Sequence, residues 1–126
     1  PFTETKRGIV ISLAAEVLFG TGEADLKSGA KGALNRVINI MKRYPDRKIS
    51  IEGHTDNIPI STARFPNNQV LSEERAKSIL KHLAGKTQIS PDRFSTKGLG
   101  ETRSIAPNTT EEGRKKNRRV EIILLK

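Results

Sequence analysis

The sequence predicts an α/β (α+β) sandwich, with helices packed on a mixed, partly parallel sheet. Three observations lead there. Short strand-like runs at Ile9–Leu13, Ile49–Ile51 and Val120–Leu125 alternate with stretches whose apolar residues recur at three and four positions. The last run is apolar on both faces apart from Glu121, which suits a strand inside a sheet. The 126 residues, 34% hydrophobic and 29% charged, match one ordinary globular domain with a single core.

The elements follow in order. Ile9, Ile11 and Leu13 alternate with Val10 and Ser12, the period of a strand. Val17, Leu18 and Phe19 come next, and Gly20-Thr21-Gly22 breaks the pattern. From Asp25 a helix is expected, because Ala30, Ala33, Leu34, Val37, Ile38 and Met41 form one apolar stripe. Lys42 and Arg43 suit its C-terminal dipole, and Pro45 stops it. Ile49 and Ile51 alternate with Ser50 and Glu52 in a second strand, which leaves through Gly53-His54-Thr55-Asp56 into a loop over 57–69. Ser72 resembles an N-cap, with Glu73 and Glu74 in the first turn. Ala76, Ile79, Leu80 and Leu83 then form a core stripe that Gly85 ends. A short strand is expected over 91–97, a loop-rich stretch over 98–117, and a final strand over 120–125. The expected order is strand, helix, strand, helix, strand, strand.

Composition excludes some chemistry. There is no cysteine, hence no disulfide scaffold and no thiolate-bound metal. No run approaches the ~18 apolar residues of a membrane span. The chain starts without Met and with polar residues, so a fragment or processed form is expected. The formal net charge of +9 favours polyanions or anionic surfaces, with a merely solubilising surface as the alternative. Five basic residues crowd Gly113–Arg119, but no aromatic residue interleaves them, and base stacking needs aromatics. Nucleic-acid binding is therefore not expected. Nor is catalysis, since no nucleophile elbow or phosphate-cradling glycine loop is present. Gly98-Leu99-Gly100 is too short for the latter.

Two charged residues stand out. Arg75 lies four positions from both Leu71 and Ile79, so it shares their helix face and leans toward the core edge. A half-buried guanidinium needs an anion or several acceptors. Asp56 leaves the strand that precedes this helix, where α/β folds form ligand crevices. The pair could be a plain structural salt bridge, or the two ends of a site for a zwitterion. His54 and Asp56 are two apart, but the only other histidine is His82, and no third ligand is evident. No metal and no cofactor are expected; His54 is expected to hydrogen-bond locally and shape the turn.

Four ordered blocks then bear on function: Gly-His-Thr-Asp at 53–56, Asn-x-x-Leu-Ser-x-x-Arg-Ala at 68–76, Gly-x-Gly-Glu at 98–101, and the run from Asn108 through Gly113-Arg114 and Asn117-Arg118-Arg119 to Ile122. In these blocks the chain resembles the OmpA-like peptidoglycan-binding domains, a family of porin C-terminal domains, peptidoglycan-associated lipoproteins and flagellar stator B subunits. The resemblance runs from about Val17 to Ile122. It implies a single non-enzymatic domain over residues 1–126, the C-terminal part of a longer membrane-anchored protein in the periplasm. It implies noncovalent binding of the peptidoglycan stem peptide through diaminopimelate or a similar diamino acid, and is compatible with a homodimer. Asp56 matches the aspartate that meets the ligand's ammonium, and Arg75 the arginine that grips its carboxylate. Thr55, Asn68 and Leu71 match pocket positions, and Phe19 resembles an aromatic at the rim. Two features depart from the family pattern: the 57–67 loop is long, as in the stator type, and Gly20 stands where many members carry an acidic residue. Of the basic block, Arg118 could pair internally. The alternatives are an interaction domain that kept the fold without wall binding, its Asp56–Arg75 pair purely structural, and nucleic-acid binding through the basic run.

Overall fold

A computed structural model describes residues 2–126. Its strands are β1 (Phe2–Glu4), β2 (Gly8–Ala14), β3 (Ile49–His54), β4 (Phe94–Gly98) and β5 (Arg119–Leu125). Its helices are α1 (Ala15–Leu18), α2 (Ala30–Lys42), α3 (Asn68–Lys86) and α4 (Glu111–Asn117), with a 3-10 turn at Pro91–Arg93. The sheet order is β1-β2-β5-β3-β4, and only β3 and β4 run parallel. The mixed, partly parallel sheet expected from the sequence is therefore present. Among the described residues no helix is long and apolar enough to cross a membrane.

β5 occupies the sheet centre, between β2 and β3, as its two-sided apolar pattern predicts. Val120, Ile122 and Leu124 face one way and join Ile9, Ile11, Ile49, Ile51 and Phe94 in the core. The stripes of α2 (Ala30, Leu34, Val37, Ile38, Met41) and α3 (Ala76, Ile79, Leu83) cover that same core. Both long helices therefore lie on one face of the sheet. Alternation places Ser50, Glu52 and His54 of β3, with Arg119 and Glu121 of β5, on the opposite face.

Several boundaries differ from the sequence expectation. α2 begins at Ala30 rather than Asp25, whose carboxylate instead pairs with Arg64. The N-cap of α3 is Asn67, whose side chain accepts from the Val70 N–H, so α3 starts a turn before Ser72 and runs to Lys86. Ser72 lies inside it, fully buried, and accepts from the Gly100 N–H at 3.0 Å. The strand expected over 91–97 is a 3-10 turn followed by β4. Three elements were not foreseen, among them the single turn α1, four residues long. β1 is an exposed three-residue edge strand, too short to carry a period. α4 lies in the stretch expected to be loop. It has no apolar stripe, but Thr110 caps it, Glu111 and Glu112 fill its first turn, and three basic residues its last. Those caps and charges were the available signal. Its last residue, fully buried Asn117, accepts from the Ile105 and Ala106 N–H groups and donates to the Ala106 carbonyl, holding 105–106 to the helix.

Candidate functional site

Where β3 ends and α3 begins, a cleft of about 650 Å³ opens, walled also by α1, the 20–22 turn and α4. All six residues singled out in the sequence, Phe19, Thr55, Asp56, Asn68, Leu71 and Arg75, line it. Hydrogen bonds fix the floor. The Thr55 N–H donates to the Gly100 carbonyl at 2.8 Å, and its hydroxyl donates to the Asp56 carbonyl. The Asp56 Oδ1 accepts the Ile58 N–H at 3.0 Å, the local turn that aspartate favours. Asn68 Nδ2 donates to the Ile58 carbonyl at 3.0 Å, tying the loop to the start of α3.

The long loop is not an open flap. Phe65 is 2% exposed and packs with Ala24 and Leu71 in a small second core, while Thr62 and Phe65 close a turn through mutual hydrogen bonds. Ile60 packs against that core, and Ile58 is left exposed at the cleft.

Asp56 and Arg75 share the cleft but do not form the salt bridge weighed from the sequence. Asp56 Oδ2 pairs with Arg118 Nη1 at 2.7 Å, and Arg118 Nη2 reaches Glu111 at 2.9 Å. Arg75 is 6% exposed and spends its donors on backbone: Nε to the Glu23 carbonyl at 2.8 Å, Nη2 to the Gly20 carbonyl at 3.3 Å. Its guanidinium lies 5.0 Å from the centroid of the Phe19 ring, a cation–π contact. Phe19 is thus a buried support beneath Arg75 rather than a rim residue. Gly20 contributes a carbonyl, so the missing acidic side chain does not leave Arg75 without acceptors there. Among the described residues, Arg75 Nη1 has no hydrogen-bond acceptor. Burial, then repulsion from Arg118, push the Arg75 guanidinium down to about 10, against the pull of Asp56 and Glu23. It still carries its charge at neutral pH.

The basic run is largely consumed internally. Arg118 is paired as described. Arg119 is 4% exposed and donates to Glu121 and to the Arg103 carbonyl. Arg114 donates to Glu111 and to the Asn108 carbonyl. That leaves Lys115, 3.6 Å from Glu16, and Lys116 as the exposed cations of the run, too few for a phosphate-tracking patch. His54 does not hydrogen-bond locally. It is 3% exposed, and neither ring nitrogen has a partner among the described residues. Burial, then the Arg119 charge, lower it to about 4 against the nearby Glu121 and Glu52, so its ring is neutral at pH 7.

The OmpA family model matches residues 18–118, which takes in the cleft from Phe19 to Arg118. The chain belongs to the OmpA family. Motility protein B of Bacillus subtilis is 36% identical over 121 residues, 96% of this chain and 46% of that protein. The peptidoglycan-binding protein ArfA of Mycobacterium tuberculosis is 36% identical over 124 residues, 98% of this chain and 36% of that protein. The chain therefore spans half or less of the length of these relatives. Among solved structures, the cell wall anchor of the type VI secretion system from Pseudomonas aeruginosa superposes with a TM-score of 0.91 at 29% identity, over 100% of this chain and 87% of that one. This OmpA fold is the sandwich expected from the sequence.

Proposed function

We propose that this OmpA-family domain is a noncovalent peptidoglycan-binding module whose cleft takes the zwitterionic end of the stem-peptide diamino acid, diaminopimelate or a close relative. The observation that carries this reading is the pairing, within one cleft, of a fixed carboxylate at Asp56 with a buried guanidinium whose Nη1 has no acceptor among the described residues. An ammonium would settle on Asp56 and a carboxylate on the free edge of Arg75; charge-assisted contacts of this kind contribute about 1.5–3 kcal/mol each. Thr55, Asn68, Leu71 and Phe19 hold those two groups in place. The names of ArfA and of the secretion-system anchor support wall binding by this fold. The domain then tethers a longer, membrane-anchored protein to the wall from the periplasmic side. It performs no chemistry on its ligand.

Co-sedimentation with purified sacculi tests the reading. The domain should pellet, and free diaminopimelate should release it, whereas cadaverine, which has both amines and no carboxylate, should not. Asp56→Asn keeps the Oδ1 acceptor for Ile58 but removes the charge, and should weaken pelleting at least about tenfold, the loss of ~1.4 kcal/mol. A wild-type domain that stays in the supernatant would overturn the function; an Asp56→Asn variant that pellets normally would overturn the site.

A further inference from the structure

The face of the sheet opposite the helices carries a second constellation. Glu52 of β3 and Glu121 of β5 stand directly across from each other in the antiparallel ladder, with His54 opposite Arg119 one step along the same face. Like charges placed this way repel. Each carboxylate has one arginine: Arg7 grips both oxygens of Glu52 at 2.6 and 3.1 Å, and Arg119 holds Glu121 Oε2 at 2.7 Å. Those pairs would account for a purely structural network, but they leave out the imidazole. His54 is enclosed with both ring nitrogens unpartnered among the described residues, which a buried polar side chain rarely tolerates. One ring nitrogen and one oxygen from each carboxylate lie within 4.8 Å of one another.

We propose that His54, Glu52 and Glu121 form a binding site for one divalent transition-metal cation of the zinc type. One nitrogen and two carboxylate oxygens suit such an ion, with solvent completing the shell. The ion gives His54 the partner it lacks and neutralises the facing carboxylates. Side chains around the site are already placed to orient the ligands: Ser50 donates to Glu52 Oε2 at 3.1 Å, and Arg119 fixes one oxygen of Glu121 while the other remains available. Arg7 is the competitor. Its side chain is 46% exposed, so it can swing into solvent and yield Glu52 to the metal. With Arg119 and Arg103 also near, the site is a modest binder rather than a tight structural centre. None of the three ligands lines the Asp56–Arg75 cleft.

Titration calorimetry of chelator-treated protein with zinc sulfate tests this directly. One ion should bind per chain. Glu121→Gln, a near-isostere at a half-buried position, should weaken binding about ten- to a hundredfold, and His54→Gln similarly. Arg7→Ala should tighten it, because the competitor for Glu52 is gone, and His82→Ala should change nothing. Cobalt(II) absorption supplies a second readout, and the Glu121→Gln and Arg7→Ala variants decide the matter even if His54→Gln does not fold. Failure of both wild type and Arg7→Ala to bind zinc, or undiminished binding in Glu121→Gln, would overturn the site.

Discussion

Arg75→Ala is expected to weaken sacculus binding strongly and also to destabilise the domain. A charge held unpaired for a ligand could be deleted at little cost, but Arg75 is not of that kind. Its Nε and Nη2 hold the carbonyls of Glu23 and Gly20, and its plane covers Phe19, so it ties the turn between α1 and α2 to α3. Losing two hydrogen bonds from a charged donor, which leaves the Glu23 carbonyl without its arginine and the Gly20 carbonyl with only the Glu23 N–H, should cost about 2–4 kcal/mol, a large share of a small domain's stability. Binding should fall by a further ten- to a hundredfold, since the carboxylate contact goes as well. Urea unfolding followed by circular dichroism measures the first effect, and pelleting at a temperature where the variant is folded measures the second. Arg75→Lys separates them: an ammonium keeps the charge but lacks the planar fork that serves two carbonyls and a ligand together. It should retain more stability than alanine and still bind poorly. A folded Arg75→Ala that pellets like wild type would remove Arg75 from the ligand site, and one as stable as wild type would remove the turn-anchoring role.

Arg75 also shows how far the sequence could be followed. Its spacing from Leu71 and Ile79 placed it on the buried face of α3, and that is where it sits. The spacing could say that it needed acceptors, but not which ones, because backbone carbonyls at Gly20 and Glu23 carry no signature in the side-chain pattern. The same limit hid the partner of Asp56. Arg118 is 62 positions away, and their ion pair exists only because β3 and β5 are neighbours in the sheet. Local periodicity served α2 and β5 well, since α2 buries one stripe in the core and β5, inside the sheet, buries Val120, Ile122 and Leu124 there and Ile123 on its other face. It failed for α4, which is held by the Thr110 cap and by buried Asn117 rather than by apolar burial. His54 was misjudged for a related reason: a histidine at a strand end next to a turn normally finds a backbone partner, and here strand alternation turns it to the sheet's helix-free face instead.

Gly53→Ala should produce a large loss of stability. A Cβ at Gly53 would overlap the Ser72 carbonyl oxygen and stand 2.9 Å from its carbon, both backbone atoms that cannot rotate away. A Cβ at its register partner Gly98 would likewise stand 2.7 Å from the Glu73 Cα. These two glycines let β3 and β4 press against the first turns of α3, where Gly100 N–H reaches the Ser72 hydroxyl and Leu99 N–H the Gly53 carbonyl. Overpacking in a rigid core costs about 1–3 kcal/mol, and more where only backbone can move, so a loss of about 3 kcal/mol or greater is expected from thermal or urea unfolding. Gly85→Ala is the internal control. It lies within α3 with nothing inside 4 Å of an added Cβ, and should stabilise by about 0.5–1 kcal/mol through helix propensity alone. If Gly53→Ala stays within about 0.5 kcal/mol of wild type, typical of an uninvolved surface site, the close contact between β3 and α3 is wrong. The functional consequence follows from position. Asp56 comes three residues after Gly53, and Arg75 three after Ser72, so the contact that alanine would force apart is the one that sets the distance between the two charges. A displacement of about 1 Å is enough to spoil a site that must meet an ammonium and a carboxylate at once. Where the Gly53→Ala variant still folds, it should therefore bind sacculi more weakly than Gly85→Ala, although neither substitution touches a cleft residue.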